Sequence, residues 1–111
     1  MESNYSYNVS LLAREDIFNA EDYILNILHN KDASINLANK IEDAINKICK
    51  NPFFYNDCKY YGIYDESNRY IKVNNYNLFY YADKDKKNIT ILRFLYSKMN
   101  IKDEDINNDA I

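Results

Sequence analysis

The sequence predicts an α+β fold of order β-α-α-β-β-β, an N-terminal helical hairpin packed on a small, mostly antiparallel sheet. Three observations predict it. Between Ala13 and Lys50, apolar residues recur at three- and four-residue steps, the period of a helix face. Between Arg69 and Lys98, runs of β-branched and aromatic residues alternate with polar turns, which is the pattern of strands. Breakers are scarce, with one Gly and one Pro in 111 residues, so the elements must be long and regular.

Tyr5 to Leu11 alternates as a short opening strand. Ala13 begins the first helix, with Glu15 and Asp16 in a first turn where the helix dipole favours acids. Its apolar positions are Ile17, Ala20, Ile24, Ile27 and Leu28. His29 falls near its end, where it reads as a C-terminal cap. Asn30, Lys31 and Asp32 form a tight connection, and Asp32 is the expected N-cap of a second helix reaching about Lys50. Ala38, Ile41, Ile45 and Ile48 line that helix, and Asn51-Pro52 ends it, because the residue before proline is pushed out of the α region. So short a connection sets the helices antiparallel. Residues 53–68, with Phe53, Phe54, Tyr55, Tyr60 and Tyr61, read as a loop or short edge strand laid across the core. A meander follows: Tyr70–Val73, Leu78–Ala82 and Ile89–Leu95, with turns at Asn74-Asn75 and Asp83–Asn88. The length suits one domain over residues 1–111 with a single core, and 101–111 read as a flexible tail.

The net charge of −3 is unevenly distributed. Residues 1–58 hold 5 Lys and Arg against 9 Asp and Glu; residues 59–98 hold 8 against 4; residues 99–111 hold 1 against 4. A basic middle between acidic ends fits a local anion-binding face, whereas a pI near 5.1 argues against general nucleic-acid coating. No apolar run reaches the length of a membrane span, and the N-terminal residues have no signal-peptide pattern, so a cytoplasmic protein is expected. Cys49 and Cys58 fit reduced packing residues, no metal-ligand spacing is present, and no cofactor is expected.

Within the strands, Arg69, Lys72, Arg93 and Lys98 stand in or beside segments that would otherwise be core. Each has two readings. They build one anion-holding face, or they are solvated and ion-paired strand residues: Lys72 between Ile71 and Val73 as a solvated position, Arg93 between Leu92 and Phe94 as the partner of an acid. Tyr76 and Tyr80, four apart, read as core residues or as stacking platforms.

Taken together, Ala13-Arg-Glu-Asp16 with Tyr23-Ile24, the helix end at Asn51-Pro52, Arg69, Asn75-Tyr76-Asn-Leu-Phe-Tyr80 and Ile91-Leu-Arg93-Phe-Leu-Tyr96 resemble the RelE/ParE superfamily of type II toxin–antitoxin toxins, over about residues 5–100. The resemblance implies a growth inhibitor of a plasmid-stabilisation or addiction module, neutralised by a cognate antitoxin. One branch cleaves messenger RNA on the ribosome and another poisons DNA gyrase, and fold alone does not choose. The nuclease branch would make it a metal-independent endoribonuclease, with Arg69, Lys72, Arg93, Tyr96 and Lys98 as catalytic candidates. The cations would meet the developing phosphorane charge, and Tyr96 would act as acid or base with a lowered pKa. In that branch an arginine follows the middle-strand tyrosine; here the position is Asn77, which cannot clamp a phosphate bidentately. That tilts the reading toward the gyrase-directed branch, which acts by binding. A third reading is a non-toxic binding module that kept the scaffold. The acidic stretch Asp103-Glu104-Asp105 suggests a segment that folds over the basic sheet and masks it.

Overall fold

The computed structural model describes residues 4–99, 101, 105 and 106. Strand β1 (Ser6–Val9) leads into helix α1 (Leu11–Asp22), which continues as one π-helical turn, Tyr23–Ile27. Helix α2 (Lys31–Lys50) follows, then β2 (Asn56–Asp57), a 3₁₀ turn (Cys58–Tyr61), β3 (Asn68–Val73), β4 (Tyr76–Asp83) and β5 (Asn88–Tyr96). The strands form one sheet in the order β1-β5-β4-β3-β2. The predicted α+β order is therefore present, and the aromatic segment contributes a two-residue edge strand paired with Arg69 and Tyr70. β1 runs parallel to β5, from Ser6 opposite Asn88 to Val9 opposite Ile91; all other pairings are antiparallel.

Local chemistry sets the helix ends. α1 starts two residues before the expected Ala13, because the Ser10 hydroxyl accepts the Ala13 amide at 3.0 Å. Glu15 and Asp16 consequently lie beyond its first turn. At its far end the Leu28 amide donates to the Tyr23 carbonyl at 3.0 Å, five residues back. His29 then takes a left-handed φ of 53°, the capping position read for it. Asn30, not Asp32, caps α2, its side chain accepting the Ala33 amide. Leu37 is buried where Ala38 was expected, with Ile41, Ile45 and Ile48 as read.

The sheet is buried on both faces, where the length had suggested a single core. On the helix side, Leu37, Ile41 and Ile48 pack with Leu78, Tyr80, Ile91 and Phe94, and Tyr76 joins them. Tyr80 is fully buried and donates to the Pro52 carbonyl at 2.6 Å; both tyrosines are core residues. On the opposite face, Cys58, Ile63, Phe79, Leu92, Leu95 and Ile106 form a second cluster, roofed by Tyr61, Tyr70 and Ile101. One irregularity lets β5 serve both. Phe79 pairs with Arg93 and Tyr80 with Ile91, so Leu92 is an extra residue in the ladder. Strict alternation fails there: Ile91 and Phe94 face the helices, while Leu92 and Leu95 face away. Of residues 101–111, Ile101 and Ile106 pack into the second cluster; the remainder of that stretch, apart from Asp105, lies outside the described residues.

Burial holds the hydroxyls of Tyr61, Tyr70, Tyr76 and Tyr80 above the usual 10.0, most of all Tyr80. Below that value both folded and unfolded chains are neutral at these positions. Above it the unfolded chain releases protons that the folded chain keeps, so unfolding gains. Stability is expected to be unaffected by these groups up to about pH 10 and to fall beyond it. Urea titrations across that range check this, and an unchanged midpoint at about pH 11 would contradict it.

Candidate functional site

The five sequence candidates do not share one face. Arg69 and the inward residues Ile71 and Val73 have the same parity on β3, which puts Arg69 on the helix side beyond the end of α2. Its Nη1 donates to the Tyr55 carbonyl at 2.9 Å, and its guanidinium stands 5.6 Å over the Phe53 ring. Its Nε is buried with no hydrogen-bond partner among the described residues. Lys72 is exposed on the opposite face. Tyr96 pairs with Tyr76 across the ladder and packs edge-on against its ring at 5.9 Å, so it lies on the helix side and is 45% exposed. Lys98 is exposed just past β5, where the Ser97 amide is tied to the Asn75 carbonyl at 2.8 Å. Lys98 and Tyr96 thus share one end of the sheet; Arg69 sits at the other.

Arg93 is held at a third place. The bulge carries it past the end of β1, where α1 begins, and there it meets Asp16. Nε donates to Oδ2 at 2.7 Å and Nη2 to Oδ1 at 3.0 Å, a bidentate pair with side chains only 15% and 13% exposed. The same Oδ2 accepts the Phe94 amide at 2.9 Å, and Arg93 Nη1 donates to the Asp105 carbonyl at 2.7 Å. The guanidinium joins α1, β5 and the C-terminal segment. This is the ion-paired reading of Arg93, and it corrects the picture of a single outward cationic face.

Asn77 also lies inside. It is 1% exposed on the outer face, where its Nδ2 donates to the Tyr61 hydroxyl. Tyr61 in turn packs edge-on against Tyr70 and Phe79, which are tilted against each other, with centroids 5.3 to 5.6 Å apart. An anion approaching the middle of β4 from this side meets aromatic rings, with the exposed Lys72 cross-strand from Asn77 at their margin. Of the acidic stretch, Asp103 and Glu104 lie outside the described residues, while Asp105 contributes its carbonyl to Arg93.

What the surface offers is apolar. Along the hairpin Phe18, Tyr23, Leu25, Ile27, Leu28 and Ile35 are all exposed, Phe18 by 65% and Ile27 by 61%. Ile27 and Leu28 had read as part of the buried stripe, but the π turn adds a residue and rotates them outward. Exposed apolar residues grouped on one element mark a protein-binding surface. Sequence spacing alone could not place Ile27 and Leu28 in this patch, because it does not show the added residue. No described helix is long and apolar enough to cross a membrane.

The molecule is thus a helical hairpin on a bulged, mostly antiparallel sheet, with an aromatic outer face and apolar residues exposed on its helices. Residues 7–101 match the family described as the ParE toxin of the type II toxin–antitoxin system parDE, and the chain belongs to that family, within the RelE/ParE superfamily. Among solved structures it is similar to the chromosomal ParDE toxin–antitoxin system of P. aeruginosa, at 12% identity and a TM-score of 0.67 over 85% of this chain and 97% of that one. It is also similar to the RelBE2 toxin–antitoxin complex of Mycobacterium tuberculosis, at 17% identity and a TM-score of 0.57 over 86% and 94%. No curated protein matches. At these identities the structural likenesses speak for the fold.

Proposed function

We propose that this toxin arrests growth by binding DNA gyrase, is neutralised by a cognate antitoxin, and does not cleave RNA. The observation that carries the reading is the burial of Asn77, whose amide is taken up by the Tyr61 hydroxyl. Phosphodiester cleavage needs cations and an acid–base pair converging on one phosphate. In this chain Arg93 is engaged by Asp16, Arg69 by Tyr55 and Phe53, and Lys72 and Tyr96 lie on opposite faces. A toxin that works by occupying its target needs only a complementary surface, which the apolar hairpin supplies. The match to the ParE family supports the same choice.

The test runs two purified reactions with the same protein. Supercoiling by gyrase is expected to fall with rising toxin, while a reconstituted translation system keeps its rate. Lost translation with intact supercoiling would establish the RNA-cleaving alternative. Harmless expression in a host without the antitoxin would remove both toxic readings and leave the binding module.

A further inference from the structure

β3 is covered on its outer side for only part of its length. β2 pairs with Arg69 and Tyr70 and no further, which leaves Ile71–Val73 as an open sheet edge among the described residues. The two-residue turn at Asn74-Asn75 makes Val73 and Tyr76 the closing pair with β4, so the alternation of the antiparallel ladder turns the Lys72 amide and carbonyl toward that edge. A groove of about 310 Å³ runs beside it, between β3 and α2, lined by Lys40, Asp43, Lys47, Ile71, Lys72 and Val73. On the α2 wall Lys40 and Lys47 stand with Asp43, and Lys72, whose side chain is on the other face of β3, adds a third cation beside the same edge, in a chain whose net charge is −3. The Lys40 Nζ donates to Asn74 Oδ1 at 3.1 Å, which places it at the groove's end by the turn.

We propose that an extended, acidic segment of the antitoxin adds to the sheet along Ile71–Val73, hydrogen-bonding through the Lys72 backbone and neutralising Lys40, Lys47 and Lys72. The proposal rests on the toxin–antitoxin reading and locates its partner. An open strand edge recognises an extended backbone, whereas nucleic acid has no use for the Lys72 amide and carbonyl as a pair. The lysines select the sign of the added segment and draw it in from solution. The apolar hairpin is a separate surface and remains available to another part of the same partner.

The experiment uses the full-length toxin and the protein encoded by the adjoining reading frame. Affinity is measured at low and high salt for wild type and for the Lys40→Glu, Lys47→Glu, Lys72→Glu variant, with amide hydrogen exchange on both. The variant is expected to bind about tenfold or more weaker at low salt, with a flatter salt dependence. In the wild-type complex, exchange at Lys72 is expected to slow. Circular dichroism establishes that the variant folds; should it not, Lys40→Gln with Lys47→Gln, both on α2, takes its place. Equal affinity for variant and wild type, with no slowing at Lys72, would overturn the edge site while leaving the toxin–antitoxin pair intact. Absence of any complex, together with harmless expression, would overturn the reading beneath it and this proposal with it. A DNA duplex that competes for the edge and slows Lys72 equally would also reject the acidic polypeptide as occupant.

Discussion

Asp16→Ala is expected to destabilise the fold by about 3 kcal/mol or more, among the largest effects of any single exposed-to-intermediate position. The carboxylate accepts three hydrogen bonds, two from Arg93 and one from the Phe94 amide, in a site that water barely reaches. Its removal takes the acceptor from Arg93 Nε and Nη2 and from the Phe94 amide, and donors that lose their acceptor in such a place cost desolvation energy. Arg93→Met is expected to cost a comparable amount, because it leaves the Asp16 carboxylate with the Phe94 amide but without its cation. Urea unfolding of both single variants and the double variant gives the coupling. The midpoint should drop without a change in slope. If Asp16→Ala unfolds with the wild-type midpoint, Arg93 is not a structural tie, and its charge becomes available again to the RNA-cleaving reading.

The second large effect concerns the C-terminal segment. Ending the chain after Ile101 removes Ile106, which is fully buried against the second cluster, and the Asp105 carbonyl that accepts from Arg93. Loss of one buried isoleucine with partial collapse of its socket costs about 2–4 kcal/mol. Ile106→Ala isolates the apolar part and should give most of that loss. The same truncation tests whether the segment masks a working surface. Growth arrest that strengthens despite lower stability would establish masking, and RNA binding that appears only in the truncated chain would point to the sheet face. Reduced arrest in step with reduced stability would assign the segment a packing role alone.

Much of this architecture was legible in the residues. Ile41, Ile45 and Ile48 announce the buried face of α2, and Asn51-Pro52 its end, because helix periodicity and proline sterics are local. The three-strand meander was legible for the same reason, its strands running one or two residues longer than read at most of their ends. Local patterning could not reveal Leu92 as an extra residue, and that one residue decides which side Arg93 and Leu95 serve. Nor could it match Asp16 with Arg93, 77 positions apart, since nothing near either residue names the other. Ser10 was readable as a cap but was hidden inside an alternating run that looked like strand. The outer cluster escaped because its roof, Tyr61, Tyr70, Ile101 and Ile106, is gathered from four stretches that carry no common period.

The place of β5 between β1 and β4 has a consequence for how the molecule comes into being. The strand made last is the one on which the first strand depends, since β1 hydrogen-bonds to no other. While the polypeptide is emerging from the ribosome, the hairpin can form early, but the sheet stays unfinished until Asn88–Tyr96 arrive. A partner that recognises the finished sheet therefore meets its complete surface only once Asn88–Tyr96 have been made.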